Sequence, residues 1–292
     1  MIIYLGYKLL EFLAYITPYS ISYLLAIVAG KLTYLLGFYV PTLKKNVSNV
    51  LDINIRDKRT GEIVQRLYYN WFRNVADFIK HPLVKGDNFR RRIELEGVEN
   101  LDNALKDGKG VVIFTAHIGN FEWGASRLGI DGYKIWGTAL SRPYKKTNLF
   151  FENRRLSKGV RTIYVDKTML EIFRLLRRNE IVAIPSDLDP GGTGHVYDFF
   201  GKKAHLPTGA VELSLKSGAP LIPSFIWRKD KYNHFQIIGK PVELVREGKM
   251  KDKIRINKMK VIKIMEKYIK EHIEEWEMFH DIWIDKDDVI ST

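Results

Sequence analysis

His117 and Glu122 stand five residues apart where an apolar run gives way to an amphipathic one, in VVIFTAHIGNFEWG (residues 111–124). A histidine beside a carboxylate is a recurring pair for activating a hydroxyl nucleophile: the imidazole takes the proton, and the carboxylate fixes its tautomer and orientation. A capped helix start next to a loop histidine would use the same residue types, so the flanking elements decide what the pair can do. Val111–Thr115 is β-branched and apolar, as expected of a central strand covered on both faces. Gly119 and Asn120 allow a tight turn with unusual backbone angles. His117 then falls at the carboxyl end of a strand, where open α/β sheets bind ligands, and Glu122 falls in the first turn of the next helix.

The rest of the chain supplies such a sheet. Strands are expected at Ile93–Glu96, Val111–Thr115, Lys134–Leu140, Arg161–Val165, Ile181–Pro185, Leu221–Trp227 and His234–Ile238. Helices are expected near Leu101–Lys106, Phe121–Leu128, Lys145–Ser157, Thr168–Arg178 and Thr208–Ser217, with a long charged one over Lys251–Trp276. This alternation implies an α/β fold, a mainly parallel central sheet covered by helices. Asp57–Pro82 reads as an amphipathic helix with Tyr68, Tyr69, Trp71, Phe72 and Phe78 as core positions and Arg73–Asp77 as an i,i+4 pair. The loop DPGGTG (Asp189–Gly194) is not a P-loop, because no Gly-Lys-Ser/Thr follows.

Residues 1–40 differ from everything after them. They carry only Lys8, Glu11 and Lys31 as charges, are broken at Pro18, and are rich in tyrosine. The piece after Pro18 approaches the roughly 20 residues a bilayer span needs. The tyrosines are rings that settle at a membrane interface. Residues 1–40 are therefore expected to associate with a membrane as apolar helices, and residues 41–292 to form the catalytic domain. A helical hairpin packed on that domain is the competing expectation. The net charge of +13 favours anionic partners. With no cysteine, thiolate catalysis and disulfides are excluded. No zinc-finger or RNA-binding signature accompanies the dispersed basic residues, which argues against nucleic acid.

The block HIGNFEWG resembles the His-x-Gly-Asn-x-Glu motif of the lipid A biosynthesis acyltransferase family, within the larger glycerolipid acyltransferase superfamily. Three further blocks agree in order. Arg142–Gly159 is similar to the second family block, with Arg142, Arg155 and Gly159 in register. Ser186–Phe225 is similar to the third, with Asp187, Phe199–Gly201 and Thr208–Gly209 in place. Trp276–Ile284 resembles the terminal block, although Asp281 and Ile282 replace its two usual arginines, and Leu188 stands where Gln commonly follows the Asp.

The resemblance implies transfer of a fatty acyl chain from acyl carrier protein or coenzyme A to a hydroxyl of a glycolipid or phospholipid. It also implies a monomer at the inner membrane, with its catalytic domain on the cytoplasmic side and no cofactor beyond the donor. His117 is the expected general base and Glu122 its orienting partner. Asn120, Arg142, Arg155 and Asp187 are expected at the substrate: the arginines on a phosphate or the oxyanion, Asp187 orienting Arg155 or the acceptor. Direct attack by the acceptor needs no covalent acyl-enzyme. His280 is expected to line the pocket or serve structurally, and Phe199 and Phe200 to pack a loop over the site or line an acyl groove. No histidine spacing fits a zinc site. A thioester or lipid hydrolase and a non-catalytic lipid-binding scaffold are the alternatives.

Overall fold

The computed structural model describes residues 2–164, 169–192 and 194–284. Two apolar helices, α1 (Ile2–Ile16) and α2 (Tyr19–Leu35), precede α3 (Val40–Leu51), α4 (Lys58–Lys80) and α5 (Gly86–Arg91). Then β1 (Ile93–Glu96), α6 (Val98–Leu105), β2 (Val111–Thr115), α7 (Phe121–Ile130) and β3 (Ile135–Ala139) follow. The chain continues through α8 (Lys145–Leu156), β4 (Val160–Tyr164), α9 (Met169–Arg177) and β5 (Ile181–Pro185). A hairpin of β6 (His195–Phe199) and β7 (Lys202–Leu206) leads to α10 (Gly209–Ser217), β8 (Leu221–Arg228), β9 (His234–Ile238) and α11 (Met250–Glu271).

Among the described residues the central sheet has seven strands in the order β1-β9-β8-β2-β5-β3-β4. Every neighbouring pair is parallel except β8–β9. The expected mainly parallel α/β fold is therefore borne out, and the strands match to within a residue or so at each end. Val165 and Thr168, ends of two expected elements, lie outside the described residues, as do Thr193 and residues 285–292. Alternation along β2 explains why it is apolar throughout. Val112 and Phe114 pack into one core layer, against α9, α10 and α11, while Val111 and Ile113 pack into another on the opposite face. The β6–β7 hairpin was not expected. Its Phe199 is buried against Trp276 and Trp283, a core position and not a loop over the site.

Helix α2 packs on α4 through Ser22, Tyr23, Ala26 and Gly30, a helical stripe of small residues around one tyrosine. Its other face leaves Ile21, Leu24, Leu25, Val28, Leu32 and Leu35 exposed, and α1 exposes Leu9, Phe12, Leu13 and Ile16. No single described helix is long and apolar enough to cross a membrane. The pair α2 and α3 would do so only as a broken span bent by 95°. On α4, Tyr68 and Phe78 are core residues, with Phe72 packed against the core. The Arg73–Asp77 pair is not made: Asp77 turns inward and pairs with Arg228 at 3.0 Å, because the buried guanidinium is the stronger partner there.

Candidate active site

Register assembles the site. Strands β2 and β5 are parallel neighbours, with Thr115 opposite Pro185. His117 and Asp187 each lie two residues beyond that last pair, so they leave the sheet side by side at its carboxyl edge. The ladder extends one step further, as Ser186 N–H donates to Thr115 O at 2.8 Å. His117 Nδ1 meets Asp187 Oδ1 at 2.8 Å, and the His117 backbone N–H donates to Oδ2 at 2.9 Å. With Asp187 ionised, that first contact requires Nδ1–H. The lone pair is then on Nε2, the tautomer a general base needs.

Asp187 is fully buried, whereas a quarter of the His117 side chain remains open to solvent. A third donor, Trp276 Nε1–H, reaches Asp187 Oδ2 at 2.9 Å. Burial alone would raise the carboxyl pKa, but His117 and these N–H groups outweigh it and hold Asp187 below the ordinary carboxylate value. The same pair acts on His117: burial opposes its charge, and Asp187, with help from Glu277 and Glu122, carries its pKa above the ordinary imidazole value.

Chain far away in sequence braces the loop. Ile118 forms an antiparallel bridge with Trp276. Glu277 N–H donates to His117 O at 2.7 Å and Gly119 N–H to Glu275 O at 2.9 Å. Gly119 has φ +57°, and a Cβ there would lie 2.3 Å from Ile226 O, so no larger residue fits the turn. Glu277 sits across from His117 with Oε1 accepting from Asn74 Nδ2 at 2.7 Å. Desolvation pushes its carboxyl up to about 8.

The expected His117–Glu122 contact is replaced by a different pairing. Glu122, in the first turn of α7, receives Arg155 from the last turn of α8. Arg155 Nε donates to Oε2 at 2.8 Å and Nη2 to Oε1 at 2.5 Å, a two-pronged bridge. The carboxylate on His117 is Asp187, which orients neither Arg155 nor open space. The reason is pairing: Arg155 takes up the Glu122 carboxylate, while Asp187 leaves the adjoining strand in register with His117.

Asn120 also faces inward. Its Oδ1 accepts from Trp123 N–H at 3.2 Å as the cap of α7, and its Nδ2 points at Asp77 Oδ2 at 3.5 Å. Both ends of its amide are engaged and only 3% of its surface is open, so in this arrangement it caps α7. Arg142 lies over the Phe151 ring at 3.7 Å, and among the described residues it has no carboxylate at ion-pair distance. Burial and the neighbouring Arg155 lower its pKa, as expected for a cation without a close counter-ion. His280 is exposed, and its backbone oxygen accepts from Asn46 Nδ2 at 3.1 Å.

Glu122 and Arg155 also line a narrow, mainly apolar cleft between α7 and strands β2, β3 and β5. Gly124, Ala125, Gly137 and Ala183 keep it open, and Leu128, Ile135 and Val160 form apolar walls.

Fold and site together define an α/β domain with a histidine–carboxylate pair at the carboxyl edge of a covered parallel sheet, beside an apolar cleft. The chain belongs to the bacterial lipid A biosynthesis acyltransferase family, whose sequence profile matches residues 1–284. It is similar to the phosphatidylinositol mannoside acyltransferase of Mycobacterium tuberculosis H37Rv, 26% identical over 206 residues, which are 67% of this chain and 63% of that protein. The enzyme of the same name from Mycolicibacterium smegmatis is 22% identical over 191 residues, 63% of this chain and 62% of that one. The alignments thus span less than two thirds of these relatives. Among solved structures, the 1-acyl-sn-glycerophosphate acyltransferase PlsC from Thermotoga maritima aligns with 82% of this chain and 98% of its own, at 15% identity and a TM-score of 0.37.

Proposed function

We propose that this protein transfers a fatty acyl chain from an acyl carrier protein or coenzyme A thioester to a hydroxyl of a membrane glycolipid or phospholipid. The observation that carries this reading is the His117 Nδ1–Asp187 contact of 2.8 Å, which leaves Nε2 free at the open edge of the sheet. His117 Nε2 takes the acceptor hydroxyl proton as that oxygen attacks the thioester carbonyl. The C–O bond forms, the carbonyl becomes a tetrahedral oxyanion, and its collapse breaks the C–S bond. The imidazolium then returns its proton to the departing thiolate, so no acyl-enzyme forms. Asp187 stabilises the imidazolium in between.

Glu122 and Arg155 hold α7 to α8 at the mouth of the cleft, which takes the acyl chain. Arg142 binds a phosphate of donor or acceptor or stabilises the oxyanion, the role that fits a guanidinium without a carboxylate partner among the described residues. The exposed apolar faces of α1 and α2 rest on the cytoplasmic side of the inner membrane, bringing a lipid acceptor to the site. Because the named relatives act on phosphatidylinositol mannosides, a mannosylated phosphoinositide is the first acceptor to try.

The test is transfer of label from acyl carrier protein and acyl-coenzyme A into a lipid extract and purified phosphatidylinositol mannoside, with His117→Ala beside the native protein. The expected result is a new acylated lipid made by the native protein and reduced at least about a thousandfold in His117→Ala, which still unfolds cooperatively although at a lower temperature because Asp187 loses its partner. Release of free fatty acid without an acylated lipid would instead mark a hydrolase. Lipid binding without turnover of either donor would mark a scaffold.

A further inference from the structure

Helix α11 buries one face through Lys258, Val261, Ile262, Met265 and Ile269, the spacing of a core stripe. Lys258 holds the position where that stripe calls for an aliphatic residue, and it is 1% exposed. Its ammonium is not spent on an ion pair at contact distance among the described residues. Nζ donates to Ser186 O at 2.9 Å, the carbonyl of the peptide that delivers Asp187. Placing an ammonium in an apolar layer costs far more than one neutral hydrogen bond returns. An aliphatic side chain would serve packing better.

We propose that Lys258 is a positioning residue for the acyl-transfer site: from beneath the sheet edge it fixes the Ser186–Asp187 peptide, and its charge favours the ionised carboxylate that orients His117. The assignment rests on the reading of His117 as the base. Among the described residues, the other groups that donate to Asp187 are the N–H groups of His117 and Trp276. Lys258 supplies the remaining support from the α11 side. The carboxylates that act on it are those of Asp187 and Asp189. Desolvation, partly offset by those two groups, lowers its own pKa to about 7. The charge is therefore present in mildly acidic solution and fades as the pH rises.

Lys258→Met and Lys258→Gln test this against the native protein, with donor and acceptor kinetics, melting temperature and the ring-nitrogen NMR titration of His117 as readouts. Met removes the donor and the charge, and Gln removes the charge alone. The expected result for Met is a kcat lower by about tenfold or more at mildly acidic pH, unchanged acceptor KM, and a deficit that narrows above neutrality. The melting temperature stays the same or rises, because an aliphatic residue replaces a buried ion. The His117 titration moves upward in both variants, since a cation near the imidazolium is gone while Asp187, Glu277 and Glu122 still face it. Should Met prevent folding, Gln alone decides. A kcat within twofold of the native value with an unmoved His117 titration would overturn the proposal and leave Lys258 a packing residue. If the native protein shows no transfer activity, the functional reading falls, and the His117 titration still decides whether Lys258 acts on the pair.

Discussion

Two carboxylates flank the His117 loop, and the structure uses them differently. Asp187 leaves strand β5 and is held by backbone register: its position follows from a ladder that pairs Thr115 with Pro185 and then Thr115 with Ser186. Glu122 leaves a helix and is held by one long side chain, Arg155, from another helix. The first arrangement loses little freedom on binding, because the groups are already fixed by the sheet. The second joins two helices around a cleft and ties up both charges. Preorganised geometry is where a base is best oriented. A helix–helix bridge is where a wall is best held.

Asp187→Asn should have the largest effect. The Asn amide can donate to the ring and favour the wrong imidazole tautomer, so kcat should fall about a thousandfold or more with the substrate KM values little changed. The native pH profile has a definite sign. In the proposed mechanism the base is the neutral imidazole, so kcat/KM should rise with pH through a midpoint above the ordinary imidazole value of 6.5. The pair also leaves a stability signature. Asp187 is depressed, so its contribution is present above the ordinary carboxylate value and is lost as pH falls through the folded one. His117 is raised, so its contribution is present below 6.5 and is lost as pH rises through the folded value. Melting temperatures across pH should show both slopes in the native protein and neither in Asp187→Asn.

Glu122→Gln should act mainly on stability. Removing one partner strands the buried Arg155, which costs about 3 kcal/mol. Denaturant unfolding measures this. Adding Arg155→Met should restore part of the loss, which would separate a stranded charge from a missing catalytic group. Trp276→Phe is the smallest change. It deletes one of the donors to Asp187 and should cost about 1–2 kcal/mol, with a several-fold drop in kcat. Equal effects of Trp276→Phe and Glu122→Gln on kcat would blur the distinction between the two carboxylates.

Much of this site could be read from the chain. His117 and Asp187 both follow apolar runs with strand character, so each falls at a strand's carboxyl end. What periodicity cannot supply is that β2 and β5 are neighbours, because sheet order is set by packing between segments seventy residues apart. Nearness in sequence favours Glu122 as the partner, and nearness in the sheet selects Asp187. Trp276 and Glu277 reach the loop through a bridge between Ile118 and Trp276, residues far apart in sequence, for which no local signal exists. Lys258 could have been found, since it interrupts an apolar stripe at helical spacing. The β6–β7 hairpin was legible too, in the alternation of HVYDF and KKAHL about Phe200–Gly201. For the N-terminal helices, composition identified an apolar segment, but only packing distinguishes the Tyr23 face on α4 from the outward leucines.

The most direct measurement is the NMR titration of the His117 ring nitrogens in the native protein, Asp187→Asn and Glu122→Gln. If Asp187 orients the base, Asp187→Asn lowers the His117 pKa and removes the hydrogen-bonded Nδ1–H signal, while Glu122→Gln leaves that signal in place and shifts the titration only slightly. The reverse pattern, with the signal lost in Glu122→Gln and kept in Asp187→Asn, would contradict the assignment and return the orienting role to Glu122.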